Sequence, residues 1–489
     1  MKGSVAELKP EEIPSLFAEP SSIQSQPDEF PPRWVYRTVF YQIFPDRFAN
    51  GDPANDPPRT APWGTRPHRE SFFGGDLQGI IDRLDHLAEL GVGGIYLNPI
   101  FLSPSNHKYD TQDYLIIDPH LGSLKTFGSL LDAAHARGIR VILDGVFNHT
   151  GDHFWAFQHV MREGPRSPYA GWYFCHGFPL RQHPKPNYEC WWGFPSLPKL
   201  NVAHPEVLSY LTRVIRFWTS LGIDGWRLDV PNEVPFFFWR YFRRLVREIN
   251  PEAYLVGEIW DDGRPWLLGD TFDAVMNYPW RELVVKFLAT REIDLAAFAD
   301  GLSALRARHP EGVTLGLFNL LGSHDTPRFL TLAGGDRRRL KLAALFQFTY
   351  PGVPVIYYGD EVGLTGGEDP DCRRTMPWAP EEQDGDLLAF YRRLGGIRKS
   401  SPALWTGGFL SVHRDAAAGI WAYLREGEGE RLLVVMNASE HDRIVALPRE
   451  GWEEGRWEDL LRGGVYEIGH DYGLVVKLPA LSGTILRQG

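Results

Sequence analysis

Hydrophobic and polar positions along the chain switch repeatedly between two periods. "LQGIIDRLDHLAELG" puts Ile80, Leu84, Leu87 and Leu90 on one helical face, and the short apolar run "VGGIYLNPIF" follows it. The same succession returns in "FGSLLDAAHARG" before "IRVILDGVFNH", in "VLSYLTRVIRFWTSLG" before "IDGWRLDV", and in "FWRYFRRLVREINP" before "AYLVGEIW". "VFYQIFPDRF" precedes these, and "FDAVMNYP", "VTLGLFNLLGSHD" and "VPVIYYGDEVGL" come later, which makes eight apolar runs alternating with helical stretches. Nearly continuous apolar strands between helices predict a parallel sheet covered on its outer face. Eight such units predict an α/β fold of the (β/α)8 barrel type over residues 35–397, in preference to an open doubly wound sheet.

Two stretches break the alternation. After "VFNHT" the chain spends about fifty Pro- and aromatic-rich residues, 150–201, before the next helix; a connection of that length predicts a small inserted domain. Over residues 398–489 the period shortens to two in "GIWAYLRE", "RLLVVMNAS", "DRIVALP" and "GLVVKLP", which predicts a C-terminal antiparallel β domain of sandwich type. Residues 1–34, rich in Pro, Glu and Ser, read as a tail or an extended wrap.

Composition narrows the function classes. The net charge of -11 comes with no Lys/Arg block, which argues against nucleic acid and anionic membranes as partners. No apolar leader segment and no run of membrane-spanning length occur, so a soluble cytoplasmic protein is expected. Cys175, Cys190 and Cys372 form no C-x-x-C pair and are odd in number, so free thiols are expected. No G-x-G-x-x-G follows the first strand and no G-x-x-x-x-G-K-[ST] occurs, which removes dinucleotide and P-loop readings. Trp, Tyr and Phe number 17, 19 and 29; flat rings suit sugar faces, but taken alone such numbers read more readily as ordinary core packing.

The chemistry lies where apolar runs stop. The third ends at Asp144 with Asn148-His149 close behind, the fourth at Arg227-Leu-Asp229, the fifth at Glu258, and the seventh is followed by His324-Asp325. A barrel brings these ends to one face, where its active sites lie. Any one of them alone would read equally well as a structural ion pair. Three carboxylates with an arginine and two histidines suit glycoside hydrolysis, which needs one ionised carboxylate and one kept protonated. Arg227, two residues from Asp229 and so on the same face of a strand, is expected to hold that aspartate ionised. Glu258, if more desolvated, would keep its proton. A metal hydrolase is the competing use of these residues, and the arginine among them argues against it.

These segments resemble the α-amylase superfamily of glycoside hydrolases. "DGVFNH", "GWRLDVPNE", "GEIW" and "LLGSHD" are similar to its strand-three, -four, -five and -seven motifs, and "LPKLN" to the motif of its inserted domain. "FFGGDLQGI", "PSNHKYDTQDY" and the "NE" after the fourth strand resemble the neopullulanase, cyclomaltodextrinase and maltogenic amylase subgroup. The resemblance implies Asp229 as nucleophile, Glu258 as acid/base and Asp325 as transition-state stabiliser, with retention of the anomeric configuration and carboxyls about 5–5.5 Å apart. It also implies Tyr109, His149, Arg227, His324, Asp369 and Arg373 as substrate-binding residues, with Tyr109 stacked beneath the sugar. Tyr357 and Tyr358 are expected to be barrel packing. Asn50, Asp52, Asn55, Asp56, Gly74 and Asp76 bring hard oxygen ligands together in a turn-rich region; alone they would read as turn chemistry, and with the resemblance they imply a structural Ca²⁺ site.

The implied substrates are maltooligosaccharides, cyclodextrins, pullulan and other α-glucans. Cleavage at α-1,4 and also α-1,6 bonds is expected, with some transglycosylation. A debranching or transglycosylating variant is the enzymatic alternative, and a non-catalytic sugar-binding barrel is disfavoured because all three acids are present. The subgroup carries a β-sandwich ahead of the barrel, and about 34 residues are too few to form one, so an open cleft is expected and monomer or dimer is left undecided. Pro231, where relatives usually have Ala, is expected to end the strand and stiffen it locally.

Overall fold

The computed structural model describes residues 31–448, 455–469 and 473–489. The expected tail at residues 1–34 lies outside the described residues up to residue 30. Its last part is ordered: Arg33–Tyr36 forms a helical turn in which Trp34 and Val35 are buried.

The apolar runs become β1 (Phe40–Ile43), β2 (Gly94–Leu97), β3 (Arg140–Gly145), β4 (Gly225–Leu228), β5 (Tyr254–Gly257), β6 (Ala274–Val275), β7 (Phe318–Leu320) and β8 (Val353–Tyr357). All are parallel neighbours in the order β6-β5-β4-β3-β2-β1-β8-β7. A parallel bridge between Met276 and Phe318 joins the two edges and closes the barrel. Two runs contribute less strand than their apolar length predicts. β6 holds two residues, and the helix Glu311–Gly316 takes the first four residues of "VTLGLFNLL" and leaves three residues for β7. A short apolar run does not by itself distinguish a strand from a buried helical turn.

The helices lie outside. Ile80, Leu84, Leu87 and Leu90 are all fully buried, although the helix breaks at Arg83 into Leu77–Asp82 and Leu84–Glu89. On β4 the alternation sorts chemistry from packing. Trp226 turns outward onto Phe242 of the helix Phe236–Ile249, while Arg227 turns inward. The segment 150–201 contains one helix, Trp155–Glu163, which its composition does not signal, and otherwise short turns and bridges. Leu200 donates its N–H to Asn148 O and Lys199 pairs with His149, so the end of this segment is pinned to the end of β3.

Helices Gly385–Ser400 and Pro402–Thr406 precede the C-terminal strands. These are β9 (Gly408–Asp415), β10 (Ile420–Gly427), β11 (Glu430–Asn437), β12 (Arg443–Leu447), β13 (Gly455–Asp459), β14 (Val465–Ile468), β15 (Leu474–Leu478) and β16 (Ser482–Gln488). One sheet runs β9-β10-β11-β16-β13-β14, and β12 pairs with β15 to make the other. Ala422, Leu424, Leu433 and Val435 face Val445, Leu447, Val476 and Leu478 across a sandwich core. The alternate residues Trp421, Tyr423, Leu432 and Val434 join the barrel's core instead. The Tyr423 hydroxyl meets Thr349 Oγ1 at 2.6 Å, and buried Arg425 donates to the carbonyls of Thr349 and Gly407. All three cysteines are free.

Candidate active site

The ends of β3, β4 and β5 converge on one guanidinium. Arg227 is fully buried. Its Nη1 donates to both Asp144 oxygens at 2.8 and 2.9 Å and to Asp229 Oδ1 at 3.0 Å, and its Nη2 lies 3.0 Å from Glu258 Oε2. Strand register makes this possible, because Asp144 of β3 and Arg227 of β4 are direct neighbours. Asp229 follows β4, its N–H bonded to Gly145 O, and Glu258 follows β5, its N–H bonded to Leu228 O.

Arg227 is therefore shared. It contacts Asp229, as its place on the strand implies, and it also pairs with both oxygens of Asp144. Burial pushes Asp229 well up from the ordinary carboxylate range; Arg227 opposes this, while Glu258, Asp144 and Asp325 reinforce it. Burial likewise raises Glu258 from 4.5 to about 7, again against Arg227. One cation facing several desolvated carboxyls makes a coupled group that holds a proton near neutral pH.

Val230 adds a backbone contribution. Its φ of 34° and ψ of 51° are left-handed, which is strained for a β-branched residue. In this conformation its N–H donates to Glu258 Oε2 at 3.1 Å, while Trp260 Nε1 reaches Oε1 at 3.3 Å. Pro231 starts a short 3₁₀ turn, Pro231–Glu233, and its carbonyl accepts from Trp239 Nε1 at 2.9 Å.

Histidine 324 is oriented from behind. Gln42 Nε2 donates to its Nδ1 at 2.8 Å, which places the imidazole proton on Nε2, between the Tyr109 hydroxyl at 2.8 Å and Asp325 Oδ2 at 3.0 Å. Burial, then Arg373 and Arg227, hold His324 well below its usual range, so it is neutral. Burial lowers His149 to about 3, and its Nε2 is buried without a hydrogen-bond partner in the structure. Tyr109 lies parallel to His324, with ring centroids 5.5 Å apart, and its hydroxyl donates to Asp144 Oδ2 at 2.8 Å. Arg373 reaches Asp325 Oδ1 at 3.1 Å and Asp369 Oδ1 at 2.9 Å, and its Nε donates to His324 O. Asp229, Glu258, Asp325, Tyr109, Arg227, His324, Asp369 and Arg373 thus form one connected constellation. His149 stands beside it, stacked on Trp191 at 5.9 Å. Tyr357 and Tyr358 are buried, with the Arg328 guanidinium over both rings.

Further residues take part, Asp144 from the end of an apolar run and the others without a strong signal in the sequence. Asp144, Tyr96, Asn98 and Gln42 form the layer beneath: Tyr96 donates to Asp144 at 2.6 Å, Asn98 to Tyr109 at 2.9 Å, and Gln42 to Asn98 at 3.0 Å. Trp260, half exposed, stacks on Tyr278 at 3.7 Å beside Glu258. Lys199 of "LPKLN" bonds Asn148 Oδ1 at 2.9 Å and the Glu233 carbonyl at 3.0 Å, tying the inserted segment to the ends of β3 and β4.

The Asn/Asp loop lies apart from this site. Gly74 has φ of 80°, and a Cβ there would fall 2.4 Å from Asp56 Oδ1 and 2.7 Å from Asn50 Nδ2. Asn55 Oδ1 is buried without a hydrogen-bond partner in the structure. A cradle that excludes a side chain, next to an unsatisfied oxygen, fits a hard cation. Asp76 is occupied otherwise: it caps the helix Leu77–Asp82 and accepts from the N–H groups of Gly51, Asp52 and Gly79 and from Asn55 Nδ2. Asp52 Oδ1 likewise accepts from Ala54 N. Among the described residues no three His, Cys, Asp or Glu side chains gather as a metal cluster, so a cation here would rest on amide and main-chain oxygens as well as carboxylate.

No helix among the described residues is long and apolar enough to cross a membrane. Residues 42–407 match the family model "Alpha amylase, catalytic domain", and residues 409–485 match "Maltogenic Amylase, C-terminal domain". Neopullulanase 2 of Thermoactinomyces vulgaris is 50% identical over 94% of this chain and 79% of its own length. A cyclomaltodextrinase of Geobacillus thermopakistaniensis is 48% identical over 92% of this chain and 76% of its own. The ligand-free cyclic α-maltosyl-(1→6)-maltose hydrolase of Arthrobacter globiformis superposes with a TM-score of 0.86 at 43% identity, covering 94% of this chain and all of that one. The barrel with carboxylates at its strand ends and the sandwich behind it match together, and the chain belongs to the α-amylase family, with a maltogenic amylase C-terminal domain.

Proposed function

We propose that this α-glucan hydrolase works by double displacement, with Asp229 as nucleophile and Glu258 as acid/base. The observation that carries the reading is the single buried guanidinium that touches both carboxyls at 3.0 Å. Asp229 attacks the anomeric carbon while Glu258 gives its proton to the departing glycosidic oxygen. Glu258, now ionised, takes a proton from water, which displaces Asp229 and restores the α configuration. A sugar hydroxyl in place of that water gives transglycosylation. Asp325, held by Arg373, accepts from hydroxyls of the sugar undergoing cleavage. Neutral His149 and His324 offer hydrogen bonds to the same sugar without adding charge beside Asp229.

The substrates in this reading are maltooligosaccharides, cyclodextrins and pullulan, cut at α-1,4 bonds and, less readily, at α-1,6 bonds, in the cytoplasm. Pullulan products test the linkage: panose reports α-1,4 cleavage and maltotriose reports α-1,6 cleavage. Early-time NMR tests the stereochemistry, and a β product would refute double displacement. Mainly maltotriose would favour the debranching reading, which the likeness to a hydrolase of a cyclic α-1,6-linked maltose dimer supports.

The reading includes Ca²⁺ held by Asn50, Asn55, Asp56 and the Gly74 main chain. Its chemistry would be structural, cross-linking the loop after β1 to the segment before the helix Leu77–Asp82.

A further inference from the structure

A second cavity, of about 740 Å³, opens on the barrel flank between the loop after β1 and the segment that follows β8. That volume lies in the range of about 300–1,000 Å³ typical of small-molecule sites. None of the catalytic or substrate-binding residues described above lines it. Trp63 and Trp378, both half-buried, supply its aromatic wall, Phe73 beside them being buried; Arg83, Asp82 and Glu382 supply polar groups, and Asn50 and Asp56 of the Asn/Asp loop line it as well.

Both indoles are fixed at their N–H edges. Trp63 Nε1 donates to Met376 O at 2.8 Å, and Trp378 Nε1 donates to Phe48 O. Main-chain bonds of this kind set each ring plane in advance, so a ligand stacking on it costs little side-chain ordering. The Arg83 guanidinium lies over Trp378 at 4.2 Å, exposed at its own end, where it can donate to a ligand hydroxyl. Asp82 and Glu382, both exposed, offer acceptors. One arginine against three acids, Asp56, Asp82 and Glu382, disfavours an anionic ligand such as a phosphate. Flat rings bordered by donors and acceptors suit a neutral polyol with apolar faces.

We infer that this cavity is a non-catalytic binding site for an α-glucan chain, holding part of a long substrate while another part occupies the cleft. The inference rests on the chain being an α-glucan hydrolase. The segment from Asp369 to Trp378 joins the two places, with Arg373 at the active site and Trp378 at the cavity. A long glucan would gain from both sites, and a maltotriose held in the cleft would gain from one.

Affinity electrophoresis through amylopectin gels tests this in an Asp229→Asn background, where chemistry is silenced. Trp63→Ala in that background is expected to weaken amylopectin retardation about three- to tenfold. In the otherwise unaltered enzyme, Trp63→Ala should raise KM for amylopectin by a similar factor and leave kcat/KM on maltotriose unchanged. Equal retardation with and without Trp63 overturns the proposal. If Trp63→Ala also lowers maltotriose activity, Glu382→Ala decides: weaker retardation with unchanged maltotriose kinetics supports the site, and unchanged retardation overturns it. Hydrolysis persisting in Asp229→Asn would count against the nucleophile assignment and leave this test standing.

Discussion

Arg227→Lys keeps the charge and removes the fork. The arginine spans Asp144, Asp229 and Glu258 with two nitrogens, and a lysine concentrates its charge on one. An ammonium seated on Asp144 cannot also serve Glu258. A hydrogen bond to a charged group contributes about 1.5–3 kcal/mol. Losing the one at Asp229 therefore raises that carboxyl further, because Arg227 is what opposes burial there. Burial already holds Asp229 high, so the ionised carboxylate becomes scarcer, and kcat/KM on maltotriose should fall by about ten- to a hundredfold, the factor that the lost hydrogen bond corresponds to. Glu258 changes too, because Arg227 is the chief influence lowering it from burial's effect. Weakening that contact moves Glu258 above about 7 and carries the alkaline limb of kcat/KM upward with it. Stability follows the same sign. Both carboxyls are raised on folding, so their favourable contribution is complete below the ordinary carboxylate range and is lost as pH rises through about 7 for Glu258. Tm should fall between pH 5 and pH 8, and fall further in Arg227→Lys. The measurements are a pH–rate profile on maltotriose and thermal unfolding at the two pH values. An unmoved alkaline limb with kcat/KM within about threefold of the parent would refute the shared-arginine argument, whatever happened to Tm.

Glu258→Gln should abolish the alkaline limb near 7 and lower kcat on maltotriose by about a thousandfold, read from initial rates; parent-level activity would remove Glu258 from the acid role. Lys199→Ala releases the contacts to Asn148 and Glu233, so segment 150–201 should dock less firmly: KM for maltotriose is expected to rise several-fold with kcat little changed, and the split between the two is the readout. Chelation by EDTA should lower Tm by several degrees, with Ca²⁺ restoring it; no shift in Tm on chelation or on adding Ca²⁺ to exhaustively stripped protein would remove the cation from the Asn50–Gly74 region.

The barrel was legible because its strands are apolar over most of their length on both faces, and that pattern survives without any knowledge of pairing. Its shortest members were not measurable in the same way. "FDAVMNYP" and "VTLGLFNLL" are apolar throughout, and only two and three of their residues pair as strand. The carboxylates proposed as catalytic were legible because packing alone gives little reason to close an apolar run with a charge, and several runs close that way at one end of the barrel. Asp144 ends such a run as well, yet its part depends on register: it matters because β3 sets it directly beside Arg227. Gln42 and Asn98 are unremarkable amides until closure of the barrel brings β1 and β2 to His324 and Tyr109. Val230 reads as the most ordinary strand residue in its motif, and its left-handed conformation has no sequence signature at all.

Register also changes the electrostatics. Spacing alone pairs Arg227 with Asp229, because two residues apart on a strand share a face. Across the strands a second aspartate, already hydrogen-bonded by Tyr96 and Tyr109, takes both oxygens to the same nitrogen. What is left for Asp229 is one contact, and for Glu258 one approach. Neither carboxyl is then assigned a fixed charge by the arginine. The double displacement proposed above needs the proton on Glu258 at the start of the reaction and absent from it at the intermediate. A guanidinium shared between acid and nucleophile, in a site where burial raises both, lets that proton leave without stranding either charge: as Glu258 ionises, Asp229 has become an ester and no longer draws on Arg227. The division of one cation between two carboxyls is thus suited to a reaction in which they are charged in turn.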